Sequence, residues 1–265
     1  MSQKEKEIKL IQKELRKKIL NISYEKNSGH IGCSLSCIDI LIATLILNNK
    51  KEELILSKGH AALALYVTLN YLKEISDKEI ETFYLNGTKL AAHPSPNFKK
   101  SIPFATGSLG HGLPIATGMA LANKFSKVNE RTFVVVSDGE TNEGTTWEAS
   151  HFAVKHQLKN LVVIIDNNRI QGFDRTIDVL GNTSDINQFN EIGFEVFCCD
   201  GNNIPQILKI LNLIENSKSN SPKLILADTI KGKGVKFMED KIEWHYLPLD
   251  KKLLEIAISD IDSNY

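Results

Sequence analysis

Apolar residues recur along this chain in two periods, and their alternation predicts its architecture. Between residues 4 and 25 they fall at Ile8, Ile11, Leu15, Ile19 and Ile22, with Lys and Glu filling the gaps, the spacing of an amphipathic helix. Residues 36–47 are apolar nearly all round, which predicts a buried helix. Further helices are predicted over 61–72, 113–125 and 204–216, and over 76–84, where Ser76 and Glu79 make a capping box. Short continuous apolar runs at 53–56, 132–136, 161–165, 194–199 and 224–229 predict strands instead. The tail beyond them reads as less regular. Residues 27–32 read as a turn cluster, and 87–107, with little periodicity, as a long functional loop.

The stretch from 132 to 168 organises the rest. It reads strand, turn, helix, strand, the pattern of a crossover unit in a parallel sheet. The helix is expected to start near Thr145. The first strand ends in Ser137-Asp138-Gly139 and the second in Asp166-Asn167-Asn168. Ligands of open α/β sheets bind beyond the carboxyl ends of the strands. Asp138 and Asn168 are therefore read as holding one hard cation, with the backbone carbonyl of Ile170 as a third ligand. That cation would hold a phosphorylated cofactor, which Gly139 lets approach the backbone. Either turn taken singly is an ordinary turn; their pairing on two strong strands points to a site.

Composition narrows the function. With 32 basic and 32 acidic residues in 265, the net charge is zero, so no footprint for nucleic acid or anionic membrane is expected. No signal peptide or transmembrane run is read, and a cytoplasmic protein is expected. The four cysteines, Cys33, Cys37, Cys198 and Cys199, have neither zinc-site nor disulfide-framework spacing and are read as buried free thiols.

The histidines carry more. Of seven, His151 and His156 fall inside the predicted helix of the crossover unit and are read as structural or exposed. His30, His60, His93, His111 and His245 each sit in a loop, mostly beside Gly or Pro. Loops at one sheet edge converge on one site, and imidazoles there suit a substrate with several hydroxyls. Lys231-Gly232-Lys233-Gly234 after the last strand suggests anion contact but is no P-loop.

With these residues assembled, the chain resembles the thiamine-diphosphate-binding half of transketolase, and most closely the split transketolases in which that half is a separate N-terminal subunit. The likeness runs from about residue 10 to residue 249. It is carried in order by SGH at 28–30, SKGHA at 57–61, HP at 93–94, TGSLGHG at 106–112, SDGETNEG at 137–144 with NN at 167–168, KGKG at 231–234 and WH at 244–245.

The resemblance implies an α/β thiamine-diphosphate-binding fold, mostly parallel sheet with helices on both faces, with residues 1–265 forming one diphosphate-binding domain. It implies magnesium (or calcium or manganese) on Asp138, Asn168 and Ile170. It places His60, Gly139, Lys231 and His245 around the diphosphate, and Gly107, Ser108 and Leu109 in the loop facing the aminopyrimidine. It gives His30, His60, His93 and His245 catalytic positions, and makes Glu143 a buried acid near the subunit interface. The implied reaction moves a two-carbon ketol unit from a ketose or ketose phosphate to an aldose, with the cofactor as carbanion sink. The pyrimidine-binding and C-terminal domains are expected on a partner chain, in an α2β2 assembly, and this chain alone is expected to be inactive.

Two residues depart from the family pattern. Ser137 stands for the usual Gly of the GDG signature, and His111 for the usual Gln. Three alternatives share parts of the pattern: the alpha subunit of a 2-oxoacid dehydrogenase, a 1-deoxyxylulose-phosphate-synthase-like carboligase, and an inactive cofactor-binding regulatory subunit.

Overall fold

Five strands, all parallel, build the centre of the computed structural model, which describes residues 2–48, 52–96 and 101–265. They are β1 (Glu53–Leu56), β2 (Thr132–Ser137), β3 (Leu161–Asn167), β4 (Glu195–Asp200) and β5 (Lys223–Asp228), in the spatial order β1-β2-β3-β5-β4. Every residue of β2 and β3 is buried, as expected of parallel strands covered on both faces.

Among the described residues, ten α-helices surround the sheet. In chain order they are α1 (Gln3–Glu25), α2 (Ile31–Leu41), α3 (Ala62–Tyr71), α4 (Asp77–Ile80), α5 (Gly112–Phe125), α6 (Gly144–Lys155), α7 (Thr176–Leu180), α8 (Ile186–Ile192), α9 (Ile204–Asn216) and α10 (Lys251–Asn264). Alternate strand residues face opposite layers. Leu54, Phe133, Val135, Val162, Ile164 and Ile225 pack with α1, α2, α3, α9 and α10. Ile55, Val134, Val136, Val163, Ile165 and Leu224 pack with α5, α6 and α8. The expected α/β architecture, a parallel sheet with helices on both faces, is the one observed.

Three elements differ from expectation. α2 begins at Ile31, inside the predicted turn cluster, where His30 at the N-cap position takes a left-handed conformation (φ 60°) that ends the turn without a side-chain cap; it then runs into a π-helical turn, Ile42–Ile46. The predicted helix over 76–84 is one turn, α4, although its capping box forms. The irregular tail is α10, whose cap Asp250 accepts from the Leu253 amide and whose Ala257 and Ile261 are buried beside α1. Within 87–107 no helix or strand forms among the described residues; 97–100 lie outside them.

Candidate functional site

The site is built where β2 and β3 end. Ser137 is in register with Asp166, and the Asp138 amide donates to the Asp166 carbonyl at 3.3 Å. Gly139–Asn142 forms a single 3-10 turn before α6 starts. Asp138 is buried and its Oδ2 accepts from the Thr176 hydroxyl. Burial pushes its carboxyl above the usual carboxylate range. Asn168 is buried as well; its Nδ2 donates to Ser36 Oγ at 3.1 Å and its Oδ1 accepts from the Ile170 amide at 3.1 Å. Asp138, Asn168 and Ile170 line one cavity of about 260 Å³.

Beneath them lies a fully buried ion pair. Lys58, just past β1, donates to Asp166, which also accepts from Ser36 Oγ at 2.7 Å and from the Thr229 hydroxyl. Burial by itself lowers the Lys58 ammonium, but Asp166 and the thiols of Cys37 and Cys33 outweigh it, and its pKa is raised. The pair ties the ends of β1, β3 and β5 to α2, so these strand-end loops share one rigid base.

Lys231, from the turn after β5, enters the same cavity. It is buried, and its Nζ lies 3.1 Å from the Ile170 carbonyl, 3.3 Å from the Gln171 carbonyl and 2.7 Å from His245 Nδ1. The second lysine of that motif, Lys233, faces outward and pairs with Glu239 at 3.3 Å.

Four of the five loop histidines converge. The His30 ring centroid is 5.6 Å from that of His60, 6.3 Å from His93 and 5.3 Å from His245; His60 and His245 stack at 5.3 Å. Burial lowers His30 to about 4, helped by His245 and His93. It lowers His60 to about 4, and His245 to about 3 with help from Lys231. Gly107 reaches the cavity at φ 129°, where an added Cβ would stand 2.5 Å from His93 Cδ2. Leu109 lines the cavity too.

The remaining sequence candidates lie elsewhere. Ser108 and His111 are exposed and outside the cavity lining, and His151 and His156 are exposed on and just beyond α6. Glu143 is exposed in this chain. Glu140, three residues before it, is buried beside Asp138 and accepts from Ser57 Oγ and from the Gly110 amide at 2.8 Å.

Several cavity residues were not singled out from sequence. Cys33 lines it, as do Gln171, Gly172, Phe173 and Tyr246. The Tyr246 ring packs on His245 at 4.6 Å and on His30 at 5.8 Å. Only its adjacency to Trp244-His245 marked it. Cys33 stands three residues past His30, a spacing that puts both at the start of α2.

A parallel sheet with a carboxylate, an amide, a buried lysine and four imidazoles at its strand ends defines a cofactor-dependent α/β enzyme class. The chain belongs to the transketolase family: residues 9–259 match its thiamine diphosphate binding domain. It is similar to one of the apulose-4-phosphate transketolase subunits of Phocaeicola vulgatus, at 34% identity over 93% of this chain and 90% of that one. It is also similar to the 6-deoxy-6-sulfo-D-fructose transketolase subunit SqwG of a Clostridium species, at 31% identity over 88% of each. The transketolase of Campylobacter jejuni superposes with a TM-score of 0.83 at 26% identity, covering 97% of this chain and 43% of that one. The chain thus spans less than half the length of that solved transketolase but nearly all of the relatives named as single subunits. It carries the thiamine diphosphate binding domain of a thiamine-dependent transferase family. Among the described residues, no helix is long and apolar enough to cross a membrane.

Proposed function

We propose that this chain supplies the metal and diphosphate half of a transketolase active site. With a partner subunit it would transfer a two-carbon ketol unit from a ketose to an aldose. The observation that carries this is the meeting of Asp138, Asn168 and the Ile170 carbonyl with Lys231 and four histidines in one cavity.

The residues fit the group. Asp138, Asn168 and Ile170 offer oxygen alone, the donor set of a hard cation such as magnesium, calcium or manganese. Asn168 is oriented by Ser36, the outer support a metal ligand needs. Gln171 Nε2 is buried on the cavity wall with no hydrogen-bond partner among the described residues, a donor left for an anionic oxygen. Lys231, His60, His245 and the backbone at Gly139 would face the diphosphate, and the loop through Gly107, Ser108 and Leu109 the aminopyrimidine. Thiamine diphosphate supplies, when bound, the electron sink that cleavage of a carbon–carbon bond requires and no side chain offers.

The protein's own part is positioning and proton handling. An ammonium has only donors, so Lys231 donates to His245 Nδ1 and the ring proton of His245 sits on Nε2. His30, His60 and His245 stay neutral at physiological pH, each able to give or take a proton at a substrate hydroxyl. His93 is more exposed than the other three, 6.3 Å from His30 between ring centroids.

Two similar proteins are named for ketoses that carry a phosphate or a sulfonate; a short ketose bearing a terminal anion is therefore the substrate class proposed here. The pyrimidine-binding and C-terminal domains would belong to a partner chain in an α2β2 assembly, with Glu143 exposed on the surface that partner covers. The test is reconstitution. Mixed with a transketolase-family subunit carrying the pyrimidine-binding domain, the chain should give ketol transfer that needs both magnesium and thiamine diphosphate. Full turnover by this chain alone would sink the proposal.

A further inference from the structure

Cys33 lies in the first turn of α2 and faces the cavity. Its Sγ stands 3.6 Å from His245 Nδ1 and shares a hydrogen bond with His60. One ligand atom from each of Cys33, His60 and His245 falls within 4.8 Å of the others. The two imidazoles are stacked at an interplanar angle of 25°, and each makes a polar contact with the same thiol. In a tetrahedral zinc site, with Zn–S of about 2.3 Å and Zn–N of about 2.0 Å, sulfur and nitrogen sit about 3.5 Å apart; Cys33 and His245 already meet that separation.

The neighbourhood favours the thiolate. Burial raises the Cys33 thiol, but Lys231 and His60 outweigh it and bring it to about 7. The donor chemistry also separates this cluster from the oxygen set on Asp138, Asn168 and Ile170. Sulfur and imidazole select soft or borderline cations, whereas carboxylate and carbonyl oxygens select hard ones. Lys231 is the competitor, since its Nζ already occupies His245 Nδ1 at 2.7 Å; a cation must displace it.

We propose that Cys33, His60 and His245 form a binding site for a thiophilic divalent cation, zinc or cadmium, whose occupancy excludes the diphosphate cofactor. The exclusion, though not the binding, rests on the cofactor placement proposed above. Binding releases the thiol proton to solvent and turns two imidazoles away from the diphosphate.

Cadmium titration tests the site directly, because a cadmium thiolate absorbs in the ultraviolet. The chain would carry Cys198→Ser and Cys199→Ser to remove its neighbouring pair of thiols. One saturable band is expected, displaced by zinc, and Cys33→Ala should weaken binding roughly 100-fold, at least the loss seen when a metal site loses a supporting group. An unchanged circular dichroism spectrum would certify that variant as folded. A band that persists in Cys33→Ala overturns the site.

The second arm titrates thiamine diphosphate with magnesium into the chain and its partner subunit. With cadmium at about ten times its own Kd, competition should raise the apparent cofactor Kd roughly tenfold, and Cys33→Ala should abolish that effect. Cofactor and cadmium binding together without mutual effect overturns the exclusion. Cofactor failing to bind even without cadmium would instead count against the cofactor placement, while the absorbance band still decides the metal site.

Discussion

Lys231 Nζ stands 2.7 Å from His245 Nδ1 and 3.1 Å from the Ile170 carbonyl, so one buried ammonium orients both a proposed proton carrier and a proposed metal ligand. Lys231→Met keeps the volume and removes the donor. It should weaken thiamine diphosphate binding by about 10–100-fold, the worth of one charged hydrogen bond at about 1.5–3 kcal/mol. The His245 ring should also titrate at higher pH by NMR, since Lys231 is one of the groups holding its pKa down. A variant with both properties unchanged would remove Lys231 from the site.

The pair Lys58–Asp166 is buried on both sides. Asp166→Ala leaves an ammonium uncompensated and takes the acceptor from Ser36 and Thr229. It should lower unfolding free energy by about 3–5 kcal/mol. Lys58→Met combined with Asp166→Leu should recover part of that loss. Urea unfolding of the two variants checks the order; a double variant no more stable than the single one would contradict it.

Stability should fall on acidification, and His245 should account for part of the fall. His30 and His60 sit at about 4 and His245 at about 3 in the folded chain, against about 6.5 when unfolded. The unfolded chain therefore binds more protons below about pH 6.5, and stability that is full above it declines down to about pH 4 for His30 and His60 and about pH 3 for His245. Asp138 and Glu140, raised by burial, work in the opposite sense and return some stability as they take up protons. His245→Gln isolates the histidine term. Between about pH 7 and pH 5 the wild type should lose about 1 kcal/mol more than this variant, after discounting for solvent screening. Equal losses would show that His245 is not held neutral.

Gly107 is confined by its conformation and by His93. At φ 129° with 2.5 Å to His93 Cδ2, Gly107→Ala strains the loop by about 1–3 kcal/mol and pushes the imidazole aside. Turnover of the assembled enzyme should fall about tenfold or more, and the unfolding free energy should drop by that same strain of about 1–3 kcal/mol. Undiminished turnover would free His93 from any positioned role.

The strands were legible because buried parallel strands leave continuous apolar runs, and 132–136 with 161–165 are the clearest in the chain. The positions of Asp138 and Asn168 were legible for the same reason, as oxygen-bearing residues directly after the strands β2 and β3. α10 was missed although Leu254, Ala257, Ile258 and Ile261 repeat at helical spacing; the interruptions at Pro248 and Asp250 hid its start. Lys58–Asp166 and Cys33–His245 were not legible at all. Their members are far apart in the chain and meet only through the order β1-β2-β3-β5-β4, which no local pattern encodes. Glu140 carried no signal of its own in the sequence; it is buried by the 3-10 turn that follows Asp138.

In the proposed function Asp138 anchors a cation that in turn anchors the cofactor diphosphate. Calorimetric titration of thiamine diphosphate in magnesium, into this chain with its partner subunit, tests it most directly. Asp138→Ala should weaken binding by roughly 100-fold or more, in line with loss of about 3 kcal/mol or more from a buried charged ligand, and chelation of magnesium should do the same to the wild type. Equal affinity in the wild type and Asp138→Ala would remove Asp138 from cofactor binding.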